Sequence, residues 1–498
     1  MLGITLLLQM ALSGDPTREI VVCDELRWTT AELDDLSARA HAVLARRHAA
    51  CVAYIGLGGA MLPLLMLACA RAGRAFTPLN YRLSASALQD LIARLPEPLV
   101  VVDPEYRAAV GDRYPVIDTA ELLAATAQAR PAEDTVTEAD DTAVMLFTSG
   151  TTSQPKAVEL SHANLVSYVT GSVEFLSAEP EDAALIAVPP YHIAGVSAVL
   201  SNLYAGRTMV YLPRFAAERW IALVDQERIT TATVVPTMLE RIISALEADP
   251  KPLPSLRNLA YGGAKVALPL VRRALDLLPD VGFVNAYGLT ETSSTIAVLT
   301  PGDHRSAHRA SDPAAARRLG SVGRPVPGVQ IEIRSADGTV LGPGEIGELY
   351  VRGEQVSGRY AESGSALDDD GWFPTRDRAA VDDDGYLFIL GRADDTIIRG
   401  GENIAPAELE DVLVEHPAVR DVAVVGADDA EWGQIIVAVI VPESPTRPDP
   451  EQLRAFVRER LRGSRTPDRI VFCDRLPTTA TGKVLRREIL AHLPAWQQ

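Results

Sequence analysis

A chain of 498 residues is too long for one compact core, so two or more domains are expected. Hydrophobic residues make up 47% and charged residues 23%, as in ordinary globular proteins, and the formal net charge of −19 argues against binding to nucleic acid or anionic membranes. The four scattered cysteines form no CxxC pair, which disfavours a disulfide framework or a zinc site. These properties predict an acidic cytoplasmic enzyme without membrane insertion.

Strand and helix patterns alternate over most of the chain. The apolar start, MLGITLLLQMAL, has no basic leader and is too short to span a membrane, so we interpret it as an amphipathic first helix. Strands are predicted at CVAYIGLG (51–58), AVMLF (143–147) and TATVVP (231–236), and a helix capped by Ser161 at 161–176. This alternation predicts layered α/β structure with largely parallel sheets.

The pattern changes near residue 320. VQIEIRSADGTVLGPGEIGELYVRG contains short strands separated by Asp-Gly and Gly-Pro-Gly turns, which predict a small antiparallel β subdomain. A last α/β unit follows, with a strand at DVAVVGA and a helix at EQLRAFVRERL.

One loop, TSGTTSQPKAV (148–158), is rich in hydroxyl groups and ends in a lysine. Between a strand and a helix, such a loop can form a nest of donors for phosphate oxygens, although a solvated Ser/Thr turn has the same composition. It is not a Walker A loop, because Pro155 and Ala157 stand where that motif needs glycine and Ser/Thr. No G-x-S-x-G elbow of a serine hydrolase is present either.

The loop and eight further segments together resemble the adenylate-forming superfamily, which includes acyl- and aryl-CoA synthetases. The matching segments occur in family order and cover nearly the whole chain: 148–158, 70–80, PPYHIAG (189–195), YGG (261–263), NAYGLTET (285–292), GELYVRG (347–353), GWFPTRD (371–377), GRADDTIIRGGENIAPAELE (391–410) and TATGKVLRR (479–487).

The resemblance implies a large N-terminal domain of layered α/β subdomains plus a small β-barrel-like subdomain, covering residues 1–393. A small mobile α+β domain would cover 394–498, with a hinge near Asp394. The implied reaction joins a carboxylate to the α-phosphate of ATP with Mg²⁺, releases pyrophosphate, and then transfers the acyl group to coenzyme A. The sequence leaves the oligomeric state open.

The resemblance also assigns roles to residues. Lys483 would bridge the attacking carboxylate and the α-phosphate, Thr290 would lie beside the α-phosphate, and Glu291 would hold Mg²⁺. Tyr287 would stack near adenine with the YGG segment opposite, and His192 would either gate the acyl pocket or simply pack there. The predicted nucleotide- and CoA-binding residues are Thr148, Ser149, Gly150, Thr151, Thr152, Lys156, Gly262, Gly263, Ala286, Tyr287, Gly288, Asp377, Arg392, Gly400 and Gly401.

Lysine is scarce in this chain, because only four of the 47 basic residues are lysine, yet Lys156 and Lys483 occupy both lysine positions of the motifs. The sequence departs from most relatives at Ser153, Ala157 and Arg376, where glycine is usual. We expect activity to survive these changes, since every charged motif residue is present.

The segment matching YHIAGVS carries no carboxylate, which disfavours an α-amino acid substrate. Small residues near it indicate a roomy, uncharged pocket for an aryl, medium-chain or bulky alicyclic acid. The first hypothesis is therefore an acid–CoA ligase. The alternatives are a stand-alone acyl-AMP ligase that loads a carrier protein and a non-catalytic binder of AMP or acyl-CoA; luciferase-like oxygenation is disfavoured.

Overall fold

The structure, a computed structural model, describes residues 3–148, 155–399, 402–429, 432–444, 447–461, 465–479 and 482–496. In that part of the chain, no helix combines the length and the apolar character needed to cross a membrane.

Strands of the N-terminal three quarters are β1 (Glu19–Cys23), β2 (Leu26–Thr29), β3 (Cys51–Ile55), β4 (Ala75–Leu79), β5 (Pro98–Val102), β6 (Val116–Asp118), β7 (Thr142–Thr148), β8 (Lys156–Ser161), β9 (Ala183–Ile186), β10 (Thr208–Tyr211), β11 (Thr231–Val234), β12 (Asn258–Gly262), β13 (Gly282–Leu289), β14 (Ser294–Leu299), β15 (Arg324–Pro325), β16 (Gln330–Arg334), β17 (Gly347–Arg352), β18 (Arg359–Tyr360), β19 (Gly364–Ser365), β20 (Phe373–Val381) and β21 (Leu387–Arg392).

Helices of the same part are α1 (Thr5–Gly14), α2 (Thr30–Ala45), α3 (Met61–Arg71), α4 (Ala85–Ile92), α5 (Arg107–Val110), α6 (Thr119–Gln128), α7 (His162–Ser172), α8 (Ile193–Ala205), α9 (Ala217–Gln226), α10 (Pro236–Ala248), α11 (Leu268–Leu277), α12 (Pro301–Arg309) and α13 (Pro313–Arg317). The rest of the chain forms β22 (Ile397–Arg399), β23 (Glu402–Ile404), α14 (Pro406–Leu413), β24 (Val419–Asp429), β25 (Gly433–Pro442), α15 (Pro450–Arg458), β26 (Arg469–Phe472) and α16 (Arg486–Trp496).

Two large sheets form the body of the molecule. One has the order β15-β14-β13-β12-β11-β9-β10-β1-β2 and the other β19-β18-β8-β7-β4-β3-β5-β6. Pairing is parallel in the middle of each sheet and antiparallel towards the edges, at β1–β2, β13–β14–β15 and β7–β8–β18–β19. The predicted layered α/β fold with largely parallel sheets is confirmed.

A shared hydrophobic core lies between the two sheets. It contains Val21 and Met209 from one sheet, Val52 and Phe76 from the other, and apolar residues of α1, α3 and α8. Every residue of α3 is buried, which explains why its sequence, MLPLLMLACAR, is apolar up to Arg71, whose buried guanidinium pairs with Asp34 and Asp134. The first helix is also confirmed, at Thr5–Gly14.

The smaller predicted units are present as well. Strands β16, β17, β20 and β21 form a four-stranded antiparallel sheet with its own apolar cluster. Strands β22 to β26 form a separate sheet covered by α14, α15 and α16. The change of sheet falls at a short 3-10 turn, Ala393–Asp395, that contains the predicted hinge residue. Movement about that hinge stays a prediction.

The expected order of strand, loop and helix after residue 147 was wrong in one respect. Strand β8 stands between the loop and helix α7, pairs antiparallel with β7, and is covered on its other edge by β18. The helix begins at His162, and Ser161 caps it as predicted, with its hydroxyl accepting a hydrogen bond from the Asn164 amide.

Candidate active site

Asp377 is the centre of a hydrogen-bonded cluster at the end of the small β sheet. Strands β20 and β21 pair Asp377 directly with Arg392, whose Nη1 donates to Asp377 Oδ1 over 2.9 Å. The Tyr287 hydroxyl, at the end of β13, donates to the other carboxylate oxygen. Two consecutive strands and a residue 90 positions earlier in the chain therefore meet at one carboxylate, which is only 6% exposed.

Burial and the neighbouring charges set the protonation states of this cluster. Burial, reinforced by the negative charge of Asp377, raises the pKa of Tyr287 well above its usual range, so the phenol stays protonated and keeps donating. Burial alone would lower the pKa of Arg392, but its contact with Asp377 outweighs that effect and raises it. The Arg392 Nε is buried and has no hydrogen-bond partner among the described residues, which leaves one donor for a ligand.

Glu291 lies next to this cluster and is oriented by Tyr360. The Tyr360 hydroxyl donates to Glu291 Oε1 over 2.9 Å, while the amides of Ser357 and Gly358 donate to the Glu291 carbonyl oxygen. Tyr360 cannot be identified from the sequence, because its position depends on pairing of β18 with β8, some 200 residues earlier in the chain. Lys156 lies 5.0 Å from the centre of the Tyr360 ring, a cation–π distance.

The phosphate-loop candidate is the connection between β7 and β8. Thr148 and Lys156 are paired across the two strands, so both ends of the loop are fixed close together. Residues Ser149, Gly150, Thr151, Thr152 and Ser153 lie outside the described residues, as do Gly400 and Gly401. The exposed ammonium of Lys156 lies on the same side as Tyr360 and Glu291.

Glycines of the predicted adenine segments are required by close backbone approach. A Cβ atom at Gly262 would lie 2.3 Å from the Ala286 carbonyl oxygen, and one at Gly288 would lie 1.8 Å from the Ser294 carbonyl oxygen. Gly263 has a φ of +82°, which glycine adopts without strain. At Gly262 and Gly288 the missing side chain lets a neighbouring strand approach closely on either side of Tyr287.

Tyr261, the first residue of the YGG segment, belongs to the core instead. It is 1% exposed, and its hydroxyl lies 2.7 Å from His304 Nε2. Because His304 Nδ1 must donate to the Thr300 carbonyl oxygen at 2.9 Å, Nε2 is the acceptor for the Tyr261 hydroxyl.

His192 precedes helix α8 and packs in an aromatic cluster. Its ring centre lies 4.6 Å from that of Tyr191, which in turn contacts Tyr81. Burial, followed by the nearby charge of Arg82, lowers the pKa of His192 to about 4, so the imidazole is neutral near pH 7. Both predicted roles of His192, gating and packing, are compatible with this neutral ring.

Lys483 reaches the same site from the C-terminal part of the chain. Lys483 is exposed to solvent. Partial desolvation, followed by repulsion from Arg392, lowers the pKa of its ammonium, and the charge of Asp377 opposes this effect. Gly482 lies against the Thr237 side chain at the start of α10: a Cβ atom added at Gly482 would lie 2.8 Å from Thr237 Cγ2. Lys265 also pairs with Asp411 of α14 over 2.7 Å. The structure therefore shows Lys483 on the side of the Asp377–Arg392 cluster.

A magnesium ion would find one fixed carboxylate here. Among the described residues, no three His, Cys, Asp or Glu side chains are grouped so as to hold a metal ion. Mg²⁺ is commonly held by one or two carboxylates together with substrate phosphates, so the single carboxylate of Glu291 fits this mode.

The described residues thus bring together a buried acceptor–donor pair, Asp377 and Arg392, and a carboxylate oriented by a phenol, Glu291. The sequence model described as AMP-binding enzyme matches residues 8–361, and that described as AMP-binding enzyme C-terminal domain matches residues 408–483. The chain belongs to the AMP-binding enzyme family.

Relatives of known name cover most of the chain. Feruloyl-CoA synthase of Amycolatopsis sp is 35% identical over 446 residues, 88% of each protein. Fatty acid–[acyl-carrier-protein] ligase ScoC of Streptomyces coeruleorubidus is 32% identical over 500 residues, covering 95% of this chain and 93% of the relative. The solved o-succinylbenzoate CoA synthetase of Bacillus subtilis, in complex with its acyl-adenylate intermediate, is 30% identical with a TM-score of 0.85 and covers 97% of each chain.

Proposed function

We propose that the protein is an ATP-dependent acid–CoA ligase that activates an aryl, medium-chain or bulky alicyclic acid as its acyl-adenylate. The observation that carries the proposal is the convergence of Asp377, Arg392, Glu291 and Lys483 on one cleft from two parts of the chain. The CoA ligases among its relatives and the acyl-adenylate complex of a structural neighbour support the same reaction.

In the first half-reaction, a substrate carboxylate oxygen attacks the α-phosphorus of ATP. One P–O bond forms, the bond to the bridging oxygen breaks, and pyrophosphate leaves. Two anions must approach, so catalysis depends on charge neutralisation and positioning. Lys483 holds the attacking carboxylate beside the α-phosphate, and Thr290 lies at the same phosphate. Glu291, oriented by Tyr360, would hold Mg²⁺, which neutralises phosphate charge; a structural neighbour has been solved with ATP and a magnesium ion.

Asp377 and Arg392 hold the nucleotide in this scheme. Each Asp377 oxygen already accepts one hydrogen bond and retains lone pairs for the ribose hydroxyls. The unpartnered Nε of Arg392 supplies a donor beside them. The glycine-lined main chain at Gly262, Gly263, Ala286 and Gly288 flanks Tyr287, where the adenine would stack.

In the second half-reaction, a thiolate attacks the acyl carbonyl carbon, the bond to the phosphate oxygen breaks, and AMP leaves. We propose that the part of the chain after Asp394 rotates about the Ala393–Asp395 turn, which withdraws Lys483 and brings residues 399–403 to the cleft. Glycines at 400 and 401 would then let the pantetheine arm of CoA pass.

The acid is expected to carry no ammonium group. Helix α8 begins after His192 without any acidic residue in its first turn, and the Ser294 hydroxyl donates to the Ser197 hydroxyl over 3.3 Å. Neutral groups of this kind offer no partner for a substrate ammonium, as an α-amino acid would need.

The test is ATP–pyrophosphate exchange with a panel of aryl, fatty and alicyclic acids, with CoA consumption followed in parallel. K483A should lose exchange, whereas the matched variant K251A should keep it, because Lys251 is 57% exposed and pairs with Asp249 at the surface. If K483A retained the exchange activity of the wild-type protein, the proposed role of Lys483 would be refuted. If none of the acids in a broad panel supported exchange, the result would instead favour a non-catalytic binder of AMP or acyl-CoA.

A second acceptor is supported by the similarity to the carrier-protein ligase ScoC. Exchange without CoA turnover, but with acylation of a carrier protein bearing phosphopantetheine, would assign that function. Both reactions share the first half-reaction, so the exchange assay and the acceptor assay must be read separately.

A further inference from the structure

Arg376 adopts a backbone conformation that costs free energy for an arginine. Its φ is +63°, in the left-handed region that glycine prefers. The neighbours hold it there: the Thr375 hydroxyl donates to the Leu349 carbonyl oxygen, and the Asp377 amide donates to the Thr375 hydroxyl. Non-glycine residues held in this region are concentrated at functional sites.

A β-bulge produces this conformation. Strand β17 pairs Tyr350 with Pro374 and Glu348 with Arg378, so residues 375–377 of β20 lie opposite the single residue Leu349. Extra residues of this kind change the direction of a side chain, and bulges are frequent beside active sites. Arg376 lies in this bulge and is exposed, and the next residue along the chain is the buried Asp377.

The exposed guanidinium of Arg376 is available for a ligand. No hydrogen bond or ion pair to it is found among the described residues, in contrast to Arg392, which binds Asp377. Its positive charge acts on Tyr360: burial raises the pKa of that phenol, and the charges of Arg392 and Arg376 oppose the rise. The Tyr360 hydroxyl donates to Glu291 and its ring lies 5.0 Å from Lys156, so the charge of Arg376 acts on a phenol that contacts both of these residues.

We propose that Arg376 contacts the β- or γ-phosphate oxygens of ATP, as a second cation beside Lys156 on the polyphosphate side of the cleft. A planar guanidinium can bind two phosphate oxygens at once, which a lysine cannot do. The strained backbone is retained because glycine at this position would remove that contact. The inference rests on the proposed use of ATP, and extends it to a residue outside the proposed ligase machinery.

The test is equilibrium titration of the full-length protein with Mg²⁺ and α,β-methylene-ATP, and separately with AMP. R376Q removes the charge and keeps the strained backbone, whereas R376G removes both. We expect each to weaken binding of the ATP analogue roughly tenfold, with less than about a twofold effect on AMP, and R376K to restore part of the loss. R376G should melt no lower than wild type, since it relieves the positive φ.

R359Q is the matched control, because Arg359 is the chain neighbour of Tyr360 but is 60% exposed and pairs with Glu159. It should leave both affinities unchanged. Equal losses of affinity for AMP and the ATP analogue would overturn the proposal. So would a loss of affinity in R376Q that is absent in R376G, because such a loss would come from backbone geometry and not from the missing guanidinium. Because binding needs neither acid nor thiol, failure of the proposed ligase reaction would appear separately, as intact binding without turnover.

Discussion

Tyr360→Phe tests whether the predicted magnesium ligand depends on its phenol partner. The substitution deletes one hydroxyl that donates to Glu291 Oε1 over 2.9 Å and keeps the ring against Lys156. A hydrogen bond to a charged group contributes about 1.5–3 kcal/mol, and the Glu291 main chain stays fixed by the Ser357 and Gly358 amides. We therefore expect kcat/KM for MgATP to fall about tenfold to a hundredfold.

The assay is acid-dependent ATP–pyrophosphate exchange measured as a function of Mg²⁺ concentration. The loss should be largest at low Mg²⁺ and shrink as Mg²⁺ rises, because a mobile carboxylate binds the ion less well. Tyr386→Phe is the matched control: its hydroxyl also donates to a carboxylate, Asp303, over 2.7 Å, but away from the cleft. If the two variants lost exchange to the same small extent, orientation of Glu291 by Tyr360 would be refuted.

Three further predictions concern the domain contact, a buried histidine and a close backbone approach. D411N breaks the half-exposed ion pair with Lys265 between the two parts of the chain. Exposed pairs contribute about 1 kcal/mol or less, so the ratio of CoA turnover to exchange should rise by up to about fivefold. An unchanged ratio would contradict a role for the pair in domain orientation. Burial lowers the pKa of His304, so below its unfolded pKa of about 6.5 the unfolded chain binds a proton that the folded protein does not, and stability falls. Between about pH 7.5 and pH 5 the melting temperature of H304Q should therefore fall less than that of wild type, and an equal fall would show that another group dominates. G288A places a Cβ 1.8 Å from a carbonyl oxygen and should abolish exchange or folding, whereas G302A, whose nearest contact is 3.7 Å, should be neutral in exchange and circular dichroism.

Local sequence signals were sufficient for elements whose stability is mostly local. The helix cap at Ser161 and the apolar first helix α1 could both be predicted, because capping and hydrophobic patterning depend on neighbouring residues. Strand β8 could not, since KAVELS is short and acquires its second partner from β18. Pairing with a segment some 200 residues away leaves no local periodicity.

The same distinction applies to the candidate site. Asp377, Arg392 and Glu291 were found because each stands in a motif that resembles the family, whereas Tyr360 was found only from its contact with Glu291. Arg376 was noted as a departure, but its positive φ and its direction depend on a bulge that only strand pairing defines. A sequence shows which residue types are present, and long-range register decides which of them meet.

Lysine and arginine residues occupy different kinds of position in this chain. Arginine supplies most surface ion pairs, as at Arg273 and Arg318, where two carboxylates share one guanidinium. Three of the four lysines instead lie at the cleft or at the contact between the two parts of the chain: Lys156, Lys265 and Lys483. A rotating domain must release its contacts, and a single ammonium–carboxylate pair is released more easily than a planar guanidinium bound at two points. Lysine at 483, in the part that would rotate, and at 265, in a contact that the rotation would break, fits the proposed alternation. Arg376 and Arg392 instead lie on strands β20 and β21, in the part that would not rotate.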